Sequence, residues 1–67
     1  MLKGLTWVQG GDFRSWWFED KDEKQVGPKV REKSLYYVIN GREEDEFESI
    51  ESARDYVEEI IKEGWRP

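Results

Sequence analysis

The sequence predicts an α+β domain: a four-stranded antiparallel meander sheet with one C-terminal helix packed on one face, in the order ββββα. Three observations carry this. Two glycine-centred turn signals, Gly10-Gly11 and Asn40-Gly41, lie between runs of aromatic and β-branched residues. One apolar stripe at helical spacing occupies the last third of the chain. The 67 residues suffice for a single small domain and no more.

Residues 2–9 (LKGLTWVQ) read as the first strand, with Leu5 and Trp7 alternating against Thr6 and Val8. Gly10-Gly11 is the hairpin turn, because glycine accepts φ > 0 at either position. Residues 12–20 (DFRSWWFED) form the second strand, aromatic on both faces: Phe13 and Trp17 point one way, Trp16 and Phe18 the other. Residues 21–33 (KDEKQVGPKVREK) are polar, carry five basic and three acidic groups, and contain Gly27-Pro28. They read as a polar loop within the domain, or as a short edge-strand extension around Val26 and Val30.

Residues 34–39 (SLYYVI) are the clearest strand, and Asn40-Gly41 after them is the strongest short hairpin signal. Residues 42–48 (REEDEFE) return as a fourth strand, its acidic side chains suited to a sheet edge. A two-residue turn would put Phe47 on the face of Tyr36 and Val38. A bulged turn would put it with Leu35, Tyr37 and Ile39, and the bulged form is preferred because it groups Leu35, Ile39 and Phe47.

The helix starts at the N-cap Ser49, with Glu51 in its first turn. Ile50, Ala53, Val57, Ile60 and Ile61 form its apolar stripe, with Tyr56 beside it and Glu58–Lys62 as a supporting pair. Gly64 fits the C′ position, and Trp65 is expected to pack against Ile60 as a plug on the helix end. The expected core is Leu5, Trp7, Leu35, Ile39, Phe47, Ala53, Val57, Ile60 and Trp65.

Composition narrows the chemistry. The chain has no cysteine and no histidine, which excludes disulfides, thiolate and imidazole metal sites and every nucleophile–histidine pair. The acidic run Glu43–Glu46 lacks the spacing of a calcium loop, and no phosphate-binding glycine motif appears. No enzyme activity, metal or cofactor is therefore expected. No secretory leader is legible in residues 1–8 and no run is long enough to cross a membrane, so a cytoplasmic location is the expectation.

Charge is uneven. Residues 1–41 carry seven basic and six acidic groups; residues 42–67 carry four and ten, for a net −5 overall. The function expected is a small protein-interaction module, in one form an acidic inhibitor or regulator of a larger protein that processes nucleic acid. Two surfaces would make the contacts. One is the sheet face the helix leaves uncovered, expected to show Trp16, Phe18 and Tyr36, although alternation alone leaves open which of Trp16 and Trp17 is exposed. A homodimer through that face is equally compatible. The other is an acidic stripe of Glu44, Glu46, Glu51, Asp55, Glu58 and Glu59. The alternative is nucleic-acid binding through the aromatic sheet face, with Arg14, Lys24, Lys29, Arg31 and Lys33 holding phosphates.

The stretch FESIESARDY, Phe47 to Tyr56, resembles the strand-to-helix junction of the small arm-binding DNA domains of tyrosine integrases, and of small phage-encoded sheet-plus-helix proteins. Phe47, Ser49, Ala53 and Tyr56 occupy the matching positions: strand-end anchor, cap, small contact and ring under the helix. The preceding REEDE is acidic where that family's sheet is basic. The resemblance implies the fold, and a phage or mobile-element type of small protein.

Overall fold

Five strands, one more than the sequence predicts, pair in chain order into a single antiparallel sheet in the computed structural model, which describes residues 3–65. They are β1 (Thr6–Gln9), β2 (Ser15–Glu19), β3 (Gln25–Glu32), β4 (Tyr36–Asn40) and β5 (Glu43–Phe47). The helix α1 (Ile50–Lys62) follows and packs over β3, β4 and β5 on one face. The class is α+β, as expected. Leu2, placed in the first strand from sequence, lies outside the described residues, and β1 starts only at Thr6, after a turn with Gly4 at φ 75.

The additional strand is β3, and it is the central one. It occupies most of the segment read as a polar loop. Trp16 pairs with Val30 and Phe18 with Val26, so a single β2 residue, Trp17, lies opposite Gly27, Pro28 and Lys29. This bulge is where a proline without an N–H fits inside a sheet. Gly27 takes φ 86, and a Cβ there would come within 2.8 Å of the Ile61 side chain. The glycine thus lets the helix settle directly on the central strand.

Three of the four turns between strands differ from the predicted positions. Phe13 N–H donates to Gly10 O (3.0 Å) and Gly10 N–H to Ser15 O (2.7 Å), so the first turn spans Gly10–Phe13 and the strand resumes at Ser15. Glu23 N–H donates to Asp20 O (3.0 Å) and Asp20 N–H to Lys24 O (2.9 Å), the same construction. Both turns end on a left-handed residue, Phe13 and Glu23, each at φ 61. The third turn holds Gly41 and Arg42 between the paired Asn40 and Glu43, with Gly41 at φ 65. Glycine at the first central position is the requirement of a type II′ turn.

That third turn corrects the preferred register. Tyr36 pairs with Phe47 and Val38 with Asp45, so Phe47 shares a face with Tyr36 and Val38, not with Leu35 and Ile39. A one-residue slip moves every side chain to the other face. The buried core is accordingly Phe18, Val30, Val38, Ala53 and Val57. Leu5, Trp7, Trp16, Tyr36, Phe47, Ile50, Tyr56, Ile60 and Ile61 pack around it. Leu35, Ile39 and Trp65, expected in the core, are half-buried and outside this cluster.

The helix forms as its sequence dictates. Ser49 Oγ accepts from Ser52 N–H at 3.2 Å, Glu51 sits in the first turn, and Gly64 takes φ 92 at C′ with its N–H donating to Ile61 O (3.0 Å). Lys62 pairs with Glu59 (3.9 Å), where the sequence suggested Glu58. Tyr56 OH donates to Asp45 Oδ2 at 3.0 Å and its ring lies 5.1 Å from that of Phe47, tying helix to β5.

Candidate functional site on the open sheet face

Pairing assigns the faces without ambiguity, because directly opposed residues share one. On the helix side lie Trp7, Phe18, Trp16, Val30, Val38, Tyr36 and Phe47. Rings fill the part of that face beyond the helix: Trp7 and Phe18 are 4.7 Å apart and Trp16 meets Tyr36 edge-on at 5.7 Å. The other face has no helix over it. It presents Val8 and Trp17, then Lys29 and Arg31, then Ile39 and Tyr37, then Glu44 and Glu46, strand by strand.

This corrects the aromatic site. Trp16, Phe18 and Tyr36 were expected on the uncovered face; all three point to the helix side, and Phe18 is only 5% exposed. The rings of the open face are Trp17 and Tyr37. Both are half-buried and both are braced. Trp17 Nε1 donates to Glu19 Oε2 at 2.8 Å, and a Cβ on Gly10 would come within 3.0 Å of its ring. Tyr37 OH donates to Glu46 Oε2 at 2.8 Å. The carboxylate of Glu46, then burial, raises the Tyr37 hydroxyl above its ordinary pKa.

Each ring also lies under an ammonium. Lys29 Nζ is 4.9 Å from the Trp17 centroid and Lys33 Nζ is 5.0 Å from that of Tyr37. Such contacts at exposed sites contribute about 0.5–1 kcal/mol and open readily. Lys33 also reaches Glu44 (3.6 Å), and Arg31 reaches Asp12 (4.0 Å). Asp12 is held below its ordinary pKa first by the N–H of Arg14 and then by the Ser15 hydroxyl. Among the described residues, no ion pair engages Lys29.

The basic residues divide. Lys29 and Arg31 stand in line along the open face of the central strand, with Lys33 just beyond its end. Arg14, whose C=O accepts from Glu32 N–H (2.7 Å), lies just before β2 and is exposed. Lys24 lies in the Asp20–Lys24 turn. The acidic residues divide as well. Glu44 and Glu46 are on the open face, whereas Glu51, Asp55, Glu58 and Glu59 are on α1, across the sheet, so the stripe is two patches and not one.

Three features bound what the site does. No group of three or more His, Cys, Asp or Glu among the described residues is placed to hold a metal ion. No helix among them is long and apolar enough to cross a membrane. The open face is mixed in charge, with Ile39 and Tyr37 standing between the cations of the central strand and the carboxylates of β5. Sequence reasoning missed Trp17, Tyr37 and Ile39 as a set. Their signal was the alternation of Trp16 with Trp17 and of Tyr36 with Tyr37, but without the central strand nothing fixed which member faced out. Fold and face together define a small α+β domain with one uncovered sheet surface. Comparison with protein families, curated proteins and solved structures finds no match to the chain.

Proposed function

We propose that the chain is a non-enzymatic protein-interaction module that works through its open sheet face. One observation carries the reading: two aromatic side chains and Ile39 stand on a face with no helix over it, with each ring hydrogen-bonded to a neighbouring carboxylate on the same face. Rings held in place lose little freedom on binding, which is what hot-spot residues require. The rim of Lys29, Arg31, Lys33, Glu44 and Glu46 has both signs, which suits a protein surface better than a polyphosphate.

The test is affinity capture from an extract, comparing the wild-type chain with Ile39→Arg and with Glu51→Gln/Asp55→Gln on the helix. The reading expects a defined protein, the chain itself included, to be retained by the wild type and the helix variant and lost with Ile39→Arg. Retention that follows the helix carboxylates instead would move the function to α1, as an acidic inhibitor of a basic partner requires.

The line of Lys29 and Arg31 beside Trp17 and Tyr37 favours one second reading, stacking of unpaired bases with phosphates on the central strand. It is distinguished by salt. Binding to a single-stranded oligonucleotide that weakens steeply between low and physiological salt would support it, and the protein-interaction reading expects none.

A further inference from the structure

The geometry points to a second copy of this chain as the occupant of the open face, in a two-fold dimer whose axis runs along β4. The inference rests on the protein-interaction reading and names its partner. It comes from the order of charges across the face. Lys29, Ile39 and Glu44 are directly paired in one row, and Arg31, Tyr37 and Glu46 in the next. In each row a cation on β3 and an anion on β5 flank an uncharged side chain on β4, at equal strand spacings on either side.

A two-fold axis along β4 exchanges the flanks and keeps the rows. Lys29 then faces the second copy's Glu44, Arg31 faces its Glu46, and Ile39 and Tyr37 meet their own counterparts at the centre. Two-fold interfaces must be self-complementary in this way. Two other placements fail on charge. An axis along β3 sets Lys29 and Arg31 against the same residues of the second copy. An axis across the strands keeps β3 over β3 and β5 over β5, like over like. Juxtaposed like charges exclude both.

The arrangement also gives Lys29 a carboxylate, which it lacks within the chain among the described residues. Contacts within the chain must open for this: Lys29 leaves Trp17, and Lys33 leaves Tyr37, where the second copy's Tyr37 arrives, and shares or gives up Glu44. Trp17, on β2, falls at the rim beside the second copy's β5. The five-residue strands β4 and β5 with the facing part of β3 make a patch of about 14 Å by 17 Å, so the dimer belongs with the small, transient interfaces and needs high protein concentration to form.

The experiment is sedimentation equilibrium up to about 1 mM chain on the wild type, Lys29→Glu, Glu44→Lys and an equimolar mixture of those two variants. The wild type is expected to approach twice the chain's 8.1 kDa. Each variant alone is expected to associate at least about tenfold more weakly. The mixture recovers the dimer, because every cross-contact then joins opposite charges. Misfolding of a variant cannot produce that recovery, and unfolding curves check each chain separately. A wild type that stays at single mass throughout overturns the inference, as does undiminished self-association of either variant. If the wild type is monomeric but extract capture still depends on Ile39, only the second copy is wrong; if capture is also indifferent to Ile39, the reading beneath it fails too.

Discussion

The two faces of the sheet both carry aromatic and aliphatic side chains, more of them on the helix side, and treat them in opposite ways. On the helix side, Val30 and Val38 are completely buried and Phe18 nearly so. Ring meets ring there, and the polar atom that intervenes, Tyr56 OH, is spent on joining α1 to β5. On the open side none of Val8, Trp17, Tyr37 and Ile39 is buried, and the rings are held by carboxylates and covered by lysines. The difference separates two jobs. Burial stabilises in proportion to the area withdrawn from water, so the helix side holds the fold. Exposed charge contacts contribute little to stability, so the open side can be rearranged by a partner without unfolding the domain.

Removing the most deeply buried ring of the helix side is the largest test. Phe18→Ala should cost about 3–5 kcal/mol. A chain of this length has only about 3–10 kcal/mol in total. Urea denaturation should show the cooperative transition lost or moved to very low denaturant. Ile39→Thr, at the middle of the open face, should cost about 1 kcal/mol or less. Equal losses at the two positions would erase the distinction between the faces.

The next effect lies where helix and sheet meet. Gly27→Ala adds a Cβ 2.8 Å from Ile61 on a residue at φ 86, and should cost about 2–3 kcal/mol. Pairing it with Ile61→Ala, which removes both the Cγ1 and the Cδ1 that the new Cβ would meet, in a double-mutant cycle separates the two causes: the steric part is recovered and the backbone part is not.

Gly27 also shows why the sequence misled about the sheet. Helix α1 was legible because Ser49, the apolar stripe and Gly64 are local signals that agree with one another. The central strand was not, because Gly27 and Pro28, residues that signal a turn, stand between its inward Val26 and Val30, and charged side chains flank them. The loss propagates. β3 is the strand through which the face of Val38 is transmitted to Trp16, by the pairings Val38–Val30 and Val30–Trp16. Without it, and with the turn at Asn40-Gly41 placed one residue early, Trp16, Phe18 and Tyr36 were assigned to the open face. The kind of side chain on that face was legible. The members were not, because adjacent rings differ only in parity.

A smaller effect, with the opposite sign, is expected at the tip of the first hairpin. Phe13 is 72% exposed and held at φ 61, a conformation that bulky residues rarely adopt. Phe13→Gly removes that strain and little burial, and should stabilise by about 1 kcal/mol. In a domain this size that corresponds to a rise of about 4–8 °C in Tm. A fall in Tm would mean the ring contributes packing that its exposure does not suggest.

The smallest test uses one chemical bond made twice, once on each side. Tyr56 donates to Asp45 between helix and sheet, and Tyr37 donates to Glu46 on the open face. The partner carboxylate, then burial, raises both hydroxyls above the ordinary 10.0. A group whose folded pKa is raised contributes fully below its unfolded value and loses that contribution as pH rises through the folded one. Stability should therefore hold up to about pH 10 and decline above it as tyrosinate forms beside carboxylate. Tyr56→Phe should cost about 0.5 kcal/mol at neutral pH, reduced from a fully buried bond by its partial exposure, and should flatten the alkaline decline. Tyr37→Phe should do less of both, since water replaces its bond at once. Urea midpoints for the two variants at neutral and alkaline pH decide the matter. If Tyr37→Phe proves the more costly, the open face is already holding structure in the free chain, and its rings are not kept in reserve for a second copy.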